Sequence, residues 1–294
     1  MTSLRELVAE ELSLSVDPRV AAVGEAIAAK HESASRAVLF YGSCLREKQL
    51  DGLMLDFYLI VSDYRSAYRR RWLRYANRLV PPNVFYFEKD GLAAKYAVLS
   101  EADFAHECSP AAWTVSTAAR FAQPARLVWS AGAEPAARAT DAVANSVETL
   151  LTWAFPHFGG GDVLNLWKSA FAKTFGSELR AERGGRSSAL VDADPERYRR
   201  IGEAALDELG KAPATMGPRR ASRWWRRKQL KGKAYSVVRL AKASATFDGG
   251  ADYIAWKVNR HAGTKIELKP WQRKFPLLAA VTLLPRLLRS GAVR

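Results

Sequence analysis

An α+β fold, a mixed sheet carrying helices and followed by a mainly helical part, is what the pattern of this chain of 294 residues predicts. Three observations carry that prediction. Short runs rich in β-branched and aromatic residues alternate with helix-length segments up to residue 130; glycines and prolines punctuate them; and beyond residue 140 the strand signal gives way to helical patterning.

The elements follow in order. The opening MTSLRELVAEELSLSVDP is charged and helix-patterned, with no apolar centre of the signal-peptide kind. DPRVAAVGEAIAAKHES reads as a helix with Pro18 near its start, and AVLFY at 37–41 as a strand running into a Gly42-Ser43 turn. LDFYLIV at 55–61 is a second strand. The basic, aromatic run YRSAYRRRWLRYANRL reads as one helix, broken by Pro81-Pro82. NVFYFEKD and AAKYAVLS are short strands, EADFAHECSPAAWTVSTAARF is helical, and the three or four strands together make one mixed sheet. SAGAEPAARAT at 130–140 separates a first domain, 1–130, from a mainly helical second, 131–294, which polar loops at RGGRSSALVDADPE and GKAPATMGPRRAS interrupt.

Composition narrows the classes. A chain with 48% hydrophobic and 26% charged residues is globular rather than disordered. The formal charge of +15 calls for an anionic partner: nucleotide, nucleic acid or acidic lipid. Cys44 and Cys108 form no CxxC pair, and His31, His106, His157 and His261 show no metal-ligand spacing, so zinc chemistry and a disulfide framework are set aside and a reducing cytoplasm fits. No apolar stretch reaches the length of a membrane span, which predicts a soluble or peripheral protein.

The residues that carry chemistry lie in VLFYGSCLREKQLDGLMLDFYLIVSD, 38–63. Asp56 sits at the start of an apolar strand, where an unpartnered carboxylate is costly to desolvate. A Gly-Ser turn after one strand, then an acidic residue opening the next, is the outline of the nucleotidyltransferase fold. Glycine lets backbone approach phosphate oxygens, which N–H groups and the Ser43 hydroxyl can bind. Asp56 can hold Mg²⁺, which prefers oxygen ligands and neutralises triphosphate charge. The superfamily usually carries a second carboxylate two residues on, where this chain has Tyr58; Asp63, Glu88 or Asp51 would then supply the missing ligand.

In order along the chain, Tyr41-Gly42-Ser43, MLDFYLIVSD, NVFYFEKDGLAAKYAVLS and AARFAQPARLV resemble the mitochondrial translocator assembly and maintenance family of phosphatidate cytidylyltransferases, over residues 37–130. That family shares the missing second carboxylate. FGSELRAE at 175–182 is similar to a further segment of it, with Arg180 at its arginine and Glu178 near its aspartate, although the family's Gly-Asp pair is not reproduced. The resemblance implies transfer of CMP from CTP to phosphatidic acid, yielding CDP-diacylglycerol and pyrophosphate, with Mg²⁺ as cofactor. It implies Gly42, Ser43 and Arg180 at the nucleotide, Asp56 and Asp63 at the metal, and Lys95 and Arg120 as phosphate-binding cations.

Two later segments bear on partners. RRASRWWRRKQLKGK at 219–233 and PLLAAVTLLPRLLRSGAVR at 276–294 combine apolar anchors with positive charge, as proteins resting on an anionic membrane surface do. This places the protein in the cytoplasm, peripheral on the inner face of the cell membrane. The alternative puts Trp224-Trp225 in a helical core. TFDGGADYIAWKVNRHAG at 246–263 carries a Gly-Gly turn before a helix, read as an anion site or as a cap by Asp248 or Asp252. Competing functions are nucleotidyl transfer to another acceptor, a non-catalytic nucleic-acid-binding protein, and an inactive nucleotidyltransferase scaffold. No RNA-recognition or helix-turn-helix signature supports nucleic-acid binding.

Overall fold

The computed structural model describes residues 2–46, 50, 52–158, 161–177, 186–210, 217–246 and 269–270. Two capped helices open it. In α1 (Leu4–Ser13) the Ser3 hydroxyl accepts from the Glu6 N–H while the Glu6 carboxylate accepts from the Ser3 N–H, a reciprocal capping box. In α2 (Pro18–Ala29) proline stands at the first turn and the Asp17 side chain accepts from the Arg19 N–H.

Five strands follow among further helices: β1 (Ser35–Tyr41), β2 (Met54–Val61), α3 (Tyr64–Ala67), α4 (Arg71–Leu79), β3 (Asn83–Lys89), β4 (Leu92–Ser100), α5 (Glu101–Glu107), α6 (Ser116–Phe121) and β5 (Ala125–Ser130). They form one mixed sheet in the order β3-β4-β2-β1-β5, in which β2 and β4 run parallel and the other neighbours antiparallel. The fifth strand lies at the edge beside β1, directly after Pro124. It is short and half-buried, so it lacks the continuous apolar run that marks β2.

Two segments expected as single helices are each divided. Tyr68 adopts an extended backbone between α3 and α4 and turns its ring into the core, where it packs on Tyr64 and Phe85. Its carbonyl then accepts from Arg74 Nε at 2.7 Å. Between α5 and α6, Ser109-Pro110 stops the helix, and the Glu107 carboxylate accepts from the Trp113 N–H and the Thr114 hydroxyl to close the loop.

Strand alternation sorts the side chains onto two faces. Val38, Phe40, Phe57, Leu59 and Val98 join α2 in one apolar cluster. Leu39, Tyr58, Ile60 and Leu99 join the helices on the other face. That second cluster continues through α7 (Ala133–Ala154), α8 (Val163–Phe175), α9 (Arg186–Asp192), α10 (Pro195–Leu209) and α11 (Pro218–Thr246) without a break at 130–140. α7 begins inside that stretch of small residues and packs on α1, α6, α8 and α10.

Trp225 is buried and its indole N–H donates to the Trp153 carbonyl at 3.0 Å, while Trp224 packs on both Trp153 and Trp225. The tryptophan pair of 219–233 therefore belongs to the helical core rather than to an exposed anchor. The segments 247–263 and 276–294 lie outside the described residues.

Close helix packing in this core rests on Gly202 of α10. A Cβ there would stand 2.5 Å from Trp167 Nε1 and 2.6 Å from Val163 Cγ2, and the indole is pinned because it donates to the Tyr198 carbonyl at 2.8 Å. Gly202→Ala is expected to destabilise by about 1–3 kcal/mol through overpacking, despite alanine's better helix propensity. Urea denaturation checks this; an unchanged midpoint would show that α8 and α10 separate freely.

On the other face, His31 is held between α3 and the sheet, with Nδ1 3.1 Å from the Ala67 carbonyl and Nε2 3.3 Å from the Tyr96 hydroxyl. A neutral ring suits both, donating to the carbonyl and accepting from the phenol. Burial pushes its pKa below the ordinary value, and the Lys30 charge lowers it further. The unfolded chain thus takes up the proton first as pH falls through about 6.5, and stability present above that pH is lost below it. The urea midpoint should drop between about pH 7.5 and 5.5 in the parent and change less in His31→Gln.

Candidate functional site

The site is built on one row of residues directly opposite each other in the sheet. Tyr41, last in β1, pairs with Asp56 of β2; Asp56 pairs with Lys95 of β4; Lys95 pairs with Tyr86 of β3. Directly paired residues share a face, so all four project to the side on which Tyr58 and Leu99 enter the core. Lys95 Nζ lies 2.9 Å from Asp56 Oδ1, with the two side chains 23% and 21% exposed. The cation compensates a carboxylate that an apolar strand would otherwise tolerate poorly.

Gly42 follows Tyr41 with φ +97°, a left-handed conformation that favours glycine. A Cβ at this position would stand 3.2 Å from Asp56 Oδ2, so any side chain would crowd the carboxylate as well as strain the backbone. Exposed Ser43 then opens a short 3-10 turn, Ser43–Arg46. The Leu45 N–H donates to the Gly42 carbonyl, and Cys44 Sγ lies 3.5 Å from the Met54 carbonyl, docking the turn on the start of β2.

Tyr58, two residues after Asp56 on the same face of β2, is buried. Its ring packs on Tyr41, Phe104 and Phe121. An ionised group at that position would enter an aromatic cluster, and the chain places a ring there instead.

Other expected site residues fall elsewhere. Asp63 stands beyond the opposite end of β2, seven residues and about 23 Å along an extended strand from Asp56. Its carboxylate caps α3, accepting from the N–H groups of Arg65 and Ser66 and from the Ser66 hydroxyl. These hydrogen bonds, chiefly that from the Ser66 side chain, hold its pKa below the ordinary value. One ion cannot touch both carboxylates, so the expectation that Asp56 and Asp63 share a metal is corrected: they stand at opposite ends of β2. Arg120 lies on α6, whose Phe121 packs on Tyr41 and Tyr58, and its guanidinium donates to Ser116 Oγ at 2.6 Å. Asp51, Glu178 and Arg180 lie outside the described residues. Among the described residues no group of three or more His, Cys, Asp or Glu side chains has the arrangement of a metal site.

Tyr41 and Tyr86 flank the ion pair in the row; Tyr41 enters the sequence reading only as part of the Tyr-Gly-Ser turn, and Tyr86 does not enter it. The Tyr86 hydroxyl donates to Glu88 Oε2 at 2.6 Å, and this bond, followed by burial, pushes the phenol up to about 12. The alternation of NVFYFEK was the available signal, because it puts Tyr86 and Glu88 on one face. No family model matches the chain, and no curated protein matches it.

Proposed function

We propose that the chain is a Mg²⁺-dependent nucleotidyltransferase and, within that class, a phosphatidate cytidylyltransferase that moves CMP from CTP to phosphatidic acid. The observation that carries the class is the packing of the left-handed Gly42 turn against Asp56 Oδ2 while Lys95 holds Oδ1. The lipid acceptor and the cytosine base are drawn from the resemblance of residues 37–130.

The donor set fits the ion. Mg²⁺ commonly takes one or two carboxylates and completes its shell with water and substrate phosphate oxygens, so Asp56 suffices as a protein anchor. When bound, the ion would offset triphosphate charge. Gly42 keeps side-chain atoms off the Asp56 carboxylate, Ser43 offers a hydroxyl, and Lys95 is a cation within reach of a phosphate that approaches Asp56. A phosphate oxygen of phosphatidate attacks the α-phosphorus of CTP, a new P–O bond forms, the α–β bridging bond breaks, and pyrophosphate leaves. That nucleophile is already ionised, so positioning and electrostatics supply the catalysis and no protein nucleophile is required.

The reading also places the protein on the inner face of the cell membrane, where the acceptor resides. No described helix is long and apolar enough to cross a membrane. The test is pyrophosphate release with Mg²⁺, CTP and phosphatidic acid in detergent micelles, set beside other nucleotides and other acceptors. Release that needs both substrates supports the proposal. Release with a soluble alcohol or an RNA end in place of the lipid would keep the class and reject the acceptor, and no release from folded protein with any pair would reject both.

A further inference from the structure

A crevice of about 1030 Å³ opens at the carboxyl ends of the parallel strands β2 and β4, at the far end of β2 from Asp56. Ser62 and Asp63 line it after β2, and Ser100 and Asp103 line it around the end of β4. Ligands of open α/β sheets characteristically bind outside the carboxyl ends of parallel strands. The remaining wall is cationic: Arg65 from α3, Arg69 from the connection, and Arg71, Arg74 and Arg78 from α4.

Among the described residues these arginines are not held by carboxylates. None of the five forms an ion pair among the described residues, although Arg74 Nε donates to the Tyr68 carbonyl. The two aspartates of the crevice are occupied by other donors. Asp63 accepts from α3 backbone and Ser66, and Asp103 accepts from the Tyr64 hydroxyl. Five guanidinium groups facing two committed carboxylates make an uncompensated cationic wall, and guanidinium pairs with phosphate through parallel N–H donors.

We propose that this crevice is a second binding site, separate from Asp56, for ligands carrying clustered phosphate groups. Such groups occur on soluble phosphate esters and on lipid headgroups at a membrane surface. Tyr75 of α4 lines the crevice too, and with Trp72 and Leu79 beside it forms an exposed row, at 59%, 45% and 69%, on one helix face. Aromatic and aliphatic side chains next to arginines are the composition that enters a bilayer interface, which makes vesicles a discriminating probe.

The experiment is calorimetric titration with inorganic tripolyphosphate without divalent metal, beside sedimentation with phosphatidylcholine vesicles that contain or lack an anionic phospholipid. Combined Arg69→Glu, Arg71→Glu and Arg78→Glu should weaken tripolyphosphate binding at least about tenfold, whereas Asp56→Ala should retain it. Single Arg78→Gln, at an exposed position, should give a smaller loss of the same sign and serves if the triple variant misfolds. Anionic vesicles that bind, and that Trp72→Ala releases without affecting tripolyphosphate, identify a lipid headgroup. Vesicles that stay free while tripolyphosphate binds identify a soluble ester. Tripolyphosphate binding that is absent, or that is the same in the arginine variants as in the parent, would overturn the proposal. So would single-stranded RNA held by these arginines that tripolyphosphate does not displace. Neither titration involves CMP transfer, so failure of the transferase reading and failure of this one are distinguishable.

Discussion

Asp56→Ala is expected to lower Mg²⁺- and CTP-dependent pyrophosphate release by about 100-fold or more, the scale of losing a pre-organised electrostatic group in an active site, while leaving the fold intact. The fold tolerates the change because Asp56 is one-fifth exposed and makes its ion pair outside the apolar clusters. Lys95→Ala removes the partner instead. It should also depress release, and it leaves Asp56 partly buried beside Gly42 without its cation. A double-mutant cycle with Asp56→Asn and Lys95→Gln separates the contributions. If Lys95 only neutralises the carboxylate, the double variant should regain the stability lost in Lys95→Gln and gain no activity. If Lys95 also binds substrate phosphate, Lys95→Gln should raise KM for CTP. Full activity in Asp56→Ala, with the protein folded, would sink the role given to Asp56.

Arg197→Met should produce the largest loss of stability, about 3–5 kcal/mol, because it leaves a buried charge without its partner. Arg197 of α10 grips Glu11 of α1 with two donors, Nε at 2.6 Å and Nη2 at 3.0 Å, both side chains being 10% exposed. A third donor reaches the Ala122 carbonyl at 3.0 Å, so one guanidinium ties α1, α10 and the turn before β5 together. Adding Glu11→Leu to Arg197→Met should restore much of the loss, since replacing both members of a buried pair by apolar groups is often close to neutral. The neighbouring pair Arg200 and Glu10 is 56% and 63% exposed, and breaking it should cost less than about 1 kcal/mol. Urea midpoints for Arg197→Met, for the double variant and for Arg200→Met check the contrast. Similar losses at the two pairs would mean that burial does not govern them.

Much of the local structure was legible in the chain. The strands around 37–41, 55–61, 83–90 and 93–100 lie where apolar and aromatic runs are bounded by turn formers, and the turn expected at Gly42 after a strand is present, with the glycine left-handed. Propensity and periodicity act over a few neighbouring residues, which is why these readings needed no partner. Breaks inside apparently continuous helical runs were harder to see. Tyr68 leaves the helix because its ring is drawn into a core formed by β3 and β4, and nothing within the run signals that.

The candidate site divides in the same way. Asp56 was conspicuous as a charge on an apolar strand, but its ion pair with Lys95 depends on the parallel register of β2 and β4, which joins residues far apart in the chain. Asp63, only seven positions away, is a companion ligand in the resemblance, yet strand extension carries it to the other end of the sheet. There it borders the arginine crevice, whose members also stood in the sequence as an ordinary basic helix. By itself, then, the sequence determined which segments extend and turn and which carboxylate is chemically exceptional, because backbone preference and desolvation are properties of the residue and its neighbours. Only the tertiary structure decided which charges meet, which tryptophans are buried and which arginines lack a carboxylate partner, because those depend on strand register and helix packing between distant parts of the chain.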